Sequence, residues 1–237
     1  MTILADTEIV DEFAPFGIRA FTTTRAAGSF GLSGTEPVGE VISRWVRLRE
    51  ELRDEGSRLA HATQVHGNRV IVHGAGWEGW LRVDAVDGHV AIDRGLVLAV
   101  TVADCVPVFI AHPSGAIGLL HSGWRGTASN IVEYGIEALA HRGFRASELR
   151  IHLGPSICGN CYEVGADVLS QLTGRPAAGP TKADLRALIA AQAHRAGVHH
   201  VSTSHLCTRC DNDRFFSHRA GDSGRQLAVI VAAKASP

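Results

Sequence analysis

Apolar and polar positions alternate through residues 8–25, with Phe16, Ile18, Ala20 and Thr22 on one parity, which predicts short strands. A glycine-rich connector follows over residues 26–40. Residues 41–58 place Ile42, Val46, Arg49 and Leu52 near one stripe, with Trp45 beside it, the pattern of a charged surface helix. Residues 61–67 and 68–73 read as a strand pair. The middle is clearer: residues 95–102 form an apolar, β-branched run expected of a buried strand, and residues 106–112 and 116–121 are two more strands around a Pro113-Ser-Gly turn. A helix is expected over 127–141, with Ile131, Gly135 and Leu139 four apart and Gly143 as its stop.

Further on, residues 149–153 read as a strand, 164–172 as a helix, 174–180 as a loop and 182–196 as a helix ended by Gly197. Residues 198–202 and 227–232 are strands on either side of a polar stretch, 207–224. Strands and helices mix without strict alternation, and no GxGxxG opens a βαβ unit. The expected fold is therefore α+β: mixed β-sheets with flanking helices, a layered sandwich forming one domain over residues 1–237, and not a doubly wound sheet.

Composition narrows the function. With 45% apolar residues in 237, the chain can bury a substantial core. Its 23 basic and 24 acidic residues leave a net charge of −1, so neither a nucleic acid nor a membrane surface is an expected partner. The first residues lack the basic and apolar regions of a signal peptide, and the longest apolar runs are too short to span a bilayer. Five cysteines, an odd number, then read as thiols or metal ligands of a cytoplasmic protein. Thirteen histidines against two tyrosines direct attention to metal or acid–base chemistry.

Cys105 and His121 can be placed by arithmetic. If residues 113–115 are a three-residue hairpin loop, facing residues sum to 228, so Cys105 faces Gly123 and His121 faces Pro107. Cys105 and His121 are then diagonal neighbours on one face, near enough to share an ion. A loop one residue longer or shorter would put them on opposite faces. A soft thiolate with imidazoles favours Zn²⁺ over Mg²⁺ or Ca²⁺, and three protein ligands with a fourth position open is the catalytic arrangement. His66, in Gln64-Val-His-Gly, is the third candidate; from the residues alone a core histidine bonded to a backbone carbonyl is the commoner fate of any single histidine.

Thr63-Gln-Val-His-Gly, Asp84-Ala, Thr101-Val-Ala-Asp-Cys-Val-Pro, His121-Ser-Gly-Trp-Arg-Gly-Thr, Leu153-Gly-Pro-Ser-Ile, Tyr162-Glu-Val-Gly, Cys207-Thr and Phe216-Ser-His-Arg occur in this order, with Gly224-Arg after them. Together they resemble the laccase-domain family, also called the multicopper polyphenol oxidase-like or peptidoglycan editing factor family, over about residues 25–231. The resemblance implies a zinc-dependent purine nucleoside phosphorylase with His66, Cys105 and His121 as zinc ligands. It also implies phosphorolysis and deamination among adenosine, inosine and methylthioadenosine. One departure is visible: the family's longer segment after its first Arg-Gly-Gly shrinks here to residues 29–49, so contacts made from that segment are not carried over.

The expected partners are accordingly a purine nucleoside and phosphate, with a homodimer allowed. Residues 121–127 lie between a strand end and a helix start, where backbone N–H groups, the helix dipole and Arg125 would cradle phosphate and Gly123 and Gly126 would let it approach. Asp104, beside Cys105, is a candidate general acid/base, and Arg125 the other expected catalytic residue. Gln64, Asp84 and Arg25 are candidate substrate contacts, with Arg219 and Arg225 as further sources of positive charge. A metal that lowers the pKa of water would also serve attack at purine C6, giving deamination.

Cys158-Gly-Asn-Cys161 and Cys207-Thr-Arg-Cys210 have the spacing of a four-cysteine zinc site. The 45 residues between the pairs exceed what a compact knuckle uses, so the expectation is reduced, unliganded thiols. Three other functions compete. A copper-dependent polyphenol oxidase needs clustered histidines, and no His-x-His occurs, though copper could occupy the three-ligand site. A metal-free hydrolase would use Cys105 as nucleophile and His121 as base, with a role in peptidoglycan precursor editing drawn from the resemblance alone. A metal-stabilised interaction module would leave an open ligand position unused.

Overall fold

The computed structural model describes residues 2–234; residue 1 and residues 235–237, which the single-domain expectation also spans, lie outside the described residues. The chain runs β1 (Thr7–Ile9), β2 (Ile18–Thr23), α1 (Val38–Glu51), β3 (Arg58–Thr63), β4 (Val70–His73), β5 (Gly79–Asp84) and β6 (Gly88–Ala91). The central segment is β7 (Leu96–Val102), β8 (Val106–Ala111), β9 (Ile117–Ser122), α2 (Trp124–Ala128) and α3 (Ile131–Ala140). It ends with β10 (Arg150–Leu153), β11 (Glu163–Val164), α4 (Ala166–Thr173), β12 (Thr181–Lys182), α5 (Leu185–Arg195), β13 (His200–Thr203) and β14 (Gln226–Ala232). No helix among the described residues is long and apolar enough to cross a membrane.

Two six-stranded mixed sheets result, one in the order β1-β2-β14-β7-β3-β5 and the other β13-β10-β8-β9-β6-β4. Side-chain parity stacks them. On β7 and β14, Val97, Ala99, Leu227, Val229 and Val231 pack with Val41, Trp45 and Leu48 of α1 and with Leu52 just after it. The opposite parity (Leu98, Val100, Ala228, Ile230) packs between the sheets against Phe109, Ala111, Ile117 and Leu119. On the far side of the second sheet, Val106, Val108, Ile110 and Leu120 meet α3 and α5 through Ile131, Ile136, Leu139 and Ile189. Strands buried on both faces carry no polar alternation, which explains why residues 95–102 and 227–232 read as unbroken apolar runs. The expected α+β layered sandwich is thus the observed one, a helix–sheet–sheet–helix stack.

Three local expectations are corrected, and two strands are added. The stripe of α1 is rotated by about one residue, burying Val41, Trp45 and Leu48 while Val46 is 55% exposed. Trp45 decides it, because its large indole is buried and donates to the Phe30 carbonyl at 3.1 Å. The helix expected over 127–141 is broken at Asn130, which sits at φ +58. Asn accepts left-handed backbone readily, and the buried Gln192 amide fills the break by donating to Thr127 O and Asn130 Oδ1, both at 2.8 Å. The segments 61–67 and 68–73 are not a strand pair: β3 belongs to the first sheet and β4 to the second, so the chain crosses between sheets at residues 64–69. Strands β5 and β6 had no counterpart in the sequence pattern.

Three buried histidines set the acid limit of this fold. Burial lowers His61 and His73 to about 4 and His89 to about 3, helped by Arg82, Arg58 and His73 nearby. The His73 and His89 rings share a hydrogen bond of 2.9 Å. In the unfolded chain each would titrate near 6.5, so below that pH the unfolded state takes up protons that the folded state refuses. Their contribution is complete above about pH 6.5 and is lost as pH falls toward about 4. The thermal midpoint, measured in excess chelator across buffers, should fall steadily through that window; a flat profile there would refute the assignment.

Candidate active site

Strands β8 and β9 pair as Val106↔Ser122 and Pro107↔His121, the register the three-residue loop demands. Cys105, one residue before β8, and His121 therefore share the face that looks toward the first sheet. His66 reaches them from the crossing segment, its backbone held at φ +61. One ligand atom from each of His66, Cys105 and His121 lies within 4.8 Å of the others, and the two imidazoles meet edge to face with centroids 4.7 Å apart. Gly123 makes the packing possible, since a Cβ there would stand 2.9 Å from Cys105 Sγ and 3.1 Å from His66 Cδ2. Gly126 is needed too, because its Cβ would come within 3.0 Å of the Gly67 carbonyl.

The residue that organises this cluster is Asp87. It is fully buried, and its carboxylate accepts from His121 Nδ1 at 2.8 Å and from the N–H groups of Val65, His66 and Gly67 at 3.2, 2.9 and 2.8 Å. With Nδ1 engaged, the other ring nitrogen of His121 is left to face a metal. Burial opposes the Asp87 charge, but His121 and the Gly67 and Val65 N–H groups outweigh it and hold the carboxyl below its ordinary value. Burial likewise opposes a thiolate at Cys105, yet the charge and hydrogen bond of His121, with His66, bring it down to about 6. His121 is driven the other way, to about 9, by Cys105 and Asp87 against the cost of burial.

The cluster forms the floor of a cavity of about 590 Å³. Its walls include Phe30, Trp45, His61, Trp124 and Tyr162, with Arg82, Arg125, Arg219 and Arg225 as cations. The shortened connector takes part, since residues 30–34 line the rim. Arg125 is exposed there, its guanidinium 4.4 Å from the Trp124 ring. Asp104 also lines the cavity, at φ +79, but both its oxygens are engaged: it accepts from Thr208 Oγ1 at 2.6 Å and from the Arg219 N–H at 2.7 Å. Gln64 lines the wall while its amide ties to Thr101, donating to the carbonyl and accepting from the N–H, both at 2.8 Å.

Two expected contacts belong elsewhere, and neither lines the cavity. Arg25 is consumed by Asp222 at 2.7 Å and by the carbonyls of Asn212 and Phe215. Asp84 is exposed at the end of β5, bonded to Thr63 at 3.0 Å. The carboxylate that matters lies three residues beyond Asp84: it is Asp87 in Asp84-Ala-Val-Asp-Gly, where nothing in one sequence separates the buried acid from the exposed one. Gly123 and Gly126 do not line the cavity; they are close-approach positions beneath the cluster.

The family model described as multi-copper polyphenol oxidoreductase laccase matches residues 25–233. The chain belongs to this laccase family. A relative in Streptomyces coelicolor named purine nucleoside phosphorylase is 36% identical over 208 residues, 84% of this chain and 85% of that protein. Another, named adenosine deaminase RL5, from an unknown prokaryotic organism, is 31% identical over 245 residues, 90% of this chain and 94% of that protein. The crystal structure of the Bacillus licheniformis hypothetical protein YfiH matches with a TM-score of 0.87 at 25% identity, covering 95% of this chain and 96% of that one.

For a laccase-family chain the donor set is compact: one thiolate and two imidazoles converge, which suits a single borderline-soft ion with a side left open to the cavity. Asp87 then acts on any such ion through His121. Replacing it should leave the three ligands in the chain but free to turn, so Asp87→Asn is expected to weaken Zn²⁺ binding by about 10–100-fold, read by competition with a chromophoric chelator. Unchanged affinity would mean that Asp87 only braces the crossing segment.

Proposed function

We propose that this chain is a zinc-dependent purine nucleoside phosphorylase, acting on adenosine, inosine and methylthioadenosine, with deamination of adenosine as a side activity. The observation that carries the reading is the open three-ligand cluster at the floor of a cavity whose walls are aromatic and cationic together. A purine offers a flat face for Trp124 or Tyr162, and phosphate and ribose need the charge that the arginines supply. The relatives named purine nucleoside phosphorylase and adenosine deaminase support the same substrate class.

Phosphorolysis forms a bond from a phosphate oxygen to C1′ and breaks the bond from C1′ to the purine nitrogen, whose electron pair leaves with the base. The protein must hold the two reactants together and stabilise charge on the departing purine. Arg125 is assigned to phosphate, because it is exposed at the cavity wall and its guanidinium leans on Trp124. Arg219 packs 4.9 Å from the Tyr162 ring centre and brings a second cation to the cavity. Asp104 is read as a brace, since both carboxylate oxygens are already hydrogen-bonded, and Gln64 as a tie that fixes the crossing segment. Zinc held by His66, Cys105 and His121 would supply a Lewis acid and a means of lowering the pKa of water. The site is expected to work in the cytoplasm.

A second reading draws on the closeness of Cys105 to His121. A thiolate beside a protonated imidazole is also the arrangement of a Cys/His hydrolase. Iodoacetamide separates the two: as-purified protein should be protected at Cys105 and become alkylated there only after a chelator, whereas a metal-free nucleophile would react at once.

Zinc-loaded protein incubated with adenosine should give adenine only when phosphate is present. Inosine formed without phosphate would put deamination first, and neither product would end the proposal. Arg125→Ala should raise the KM for phosphate by roughly tenfold or more, as expected for a lost charge-assisted contact of about 1.5–3 kcal/mol. An effect on the nucleoside KM alone would move the anion site elsewhere.

A further inference from the structure

The two Cys-x-x-Cys pairs meet in space. Strands β10 and β13 pair in parallel with an offset of 50, Arg150↔His200 through Leu153↔Thr203. Both therefore release their chains at the same end of the sheet, and a parallel bridge between Ser156 and Cys207 keeps the two loops together beyond the last strand residues. Cys158 and Cys207 then differ by 49, as do Cys161 and Cys210. The 45 intervening residues cost little, because they fold into α4, α5 and the short β11–β12 pair and return to the same edge. A separation longer than a compact knuckle uses therefore does not keep the pairs apart.

All four sulfurs lie within 4.8 Å of one another, with Cys161 Sγ and Cys210 Sγ 3.4 Å apart. A tetrahedral zinc with Zn–S of about 2.3 Å sets its sulfurs about 3.8 Å apart, so only small rotations separate this arrangement from a closed site. The backbone is already disposed for thiolates. Cys207 Sγ accepts the N–H groups of Cys158 at 3.3 Å and of Cys210 at 3.4 Å. The Cys161 N–H folds back on the Cys158 carbonyl at 3.0 Å, closing a tight turn around the first pair. Arg209 stands over the cluster, donating to the Cys161 carbonyl at 3.2 Å, and brings positive charge to offset four thiolates around a divalent ion.

We propose that Cys158, Cys161, Cys207 and Cys210 bind a second zinc ion in a closed, structural four-thiolate site that clips the loop after β10 to the loop after β13. These loops carry a cavity wall beside the His66–Cys105–His121 cluster, where the Ile157 N–H donates to the Asp104 carbonyl at 3.0 Å. Ile157 and Tyr162 flank the first pair and line the cavity; Thr208, between Cys207 and Cys210, grips Asp104; and Arg219 follows in the same loop. Residues 204–225 contain no helix or strand, so a metal clip supplies order that backbone pairing does not.

The test is zinc per chain after anaerobic purification and gel filtration into metal-free buffer, with no activity assay involved, so it stands or falls apart from the phosphorylase reading. His66→Ala/His121→Ala should retain one zinc, coordinated by four sulfurs at about 2.3 Å in X-ray absorption. Adding Cys161→Ser/Cys210→Ser, the more exposed pair, should remove it, and chelation of the first variant should lower its melting temperature. If the combined variant fails to fold, the coordination shell of the histidine variant decides alone. A histidine variant without zinc, or with nitrogen or oxygen ligands, overturns the proposal. So do fewer than the five free thiols found here when the denatured protein is titrated, since cross-linked cysteines cannot form the site.

Discussion

One buried carboxylate joins the two sheets chemically. Asp87 stands just before β6 in the second sheet, and the backbone it holds belongs to the segment leaving β3 of the first. A lone carboxylate in such a place would be costly; here three backbone N–H groups and an imidazole satisfy it. Its main chain adds to the effect, because the Asp87 carbonyl accepts the His121 N–H at 2.7 Å. The crossing segment, the orientation of His121 and the close approach of Gly126 in α2 to the Gly67 carbonyl all depend on that one group. His66 can adopt a left-handed backbone because its N–H is paid for in hydrogen bonding by the same oxygen pair.

The reach of sequence reasoning differed between the two halves of the cavity. The Cys105–His121 face was legible because a hairpin is local: loop length and strand parity suffice, and Gly115 at φ +104 supplies the backbone that the short turn needs. His66 needed the family pattern, since no local rule says which histidine crosses between sheets. Asp87 escaped because its partners come from residues 65–67 and 121, and burial distinguishes it from Asp84 only once the sheets are stacked. Arg25 was misplaced for the converse reason: its pairing with Asp222 joins positions nearly 200 residues apart.

The elements behaved in the same way. Long apolar runs were read correctly, since a strand buried on both faces leaves a strong signal. The stripe of α1 slipped by one residue because Trp45 outweighs the aliphatic positions around it, and its indole also packs with His61 and Trp80 at the cavity edge. The break at Asn130 depends on Gln192, a residue of another helix, and a helical period cannot report that. The cysteine pairs were judged by the residues between them, whereas their meeting depends on a parallel strand pairing formed outside that interval.

The tie between Gln64 and Thr101 has a consequence of its own. The Gln64 amide presents one of its N–H donors and its carbonyl oxygen side by side, as a peptide group does, and with them it meets the main chain of β7 at Thr101. A side chain thus stands in for one rung of the sheet at the point where the main chain departs. The paired residues end at Ala60↔Leu98, and this side-chain tie holds the departing chain to β7 four residues on, before it turns toward the other sheet carrying His66 with it. Aspartate or asparagine would be one methylene too short to complete the substitution, and glutamate would lack the donor. The identity of this residue is therefore a matter of imitation: it is glutamine because the sheet continues there in side-chain form.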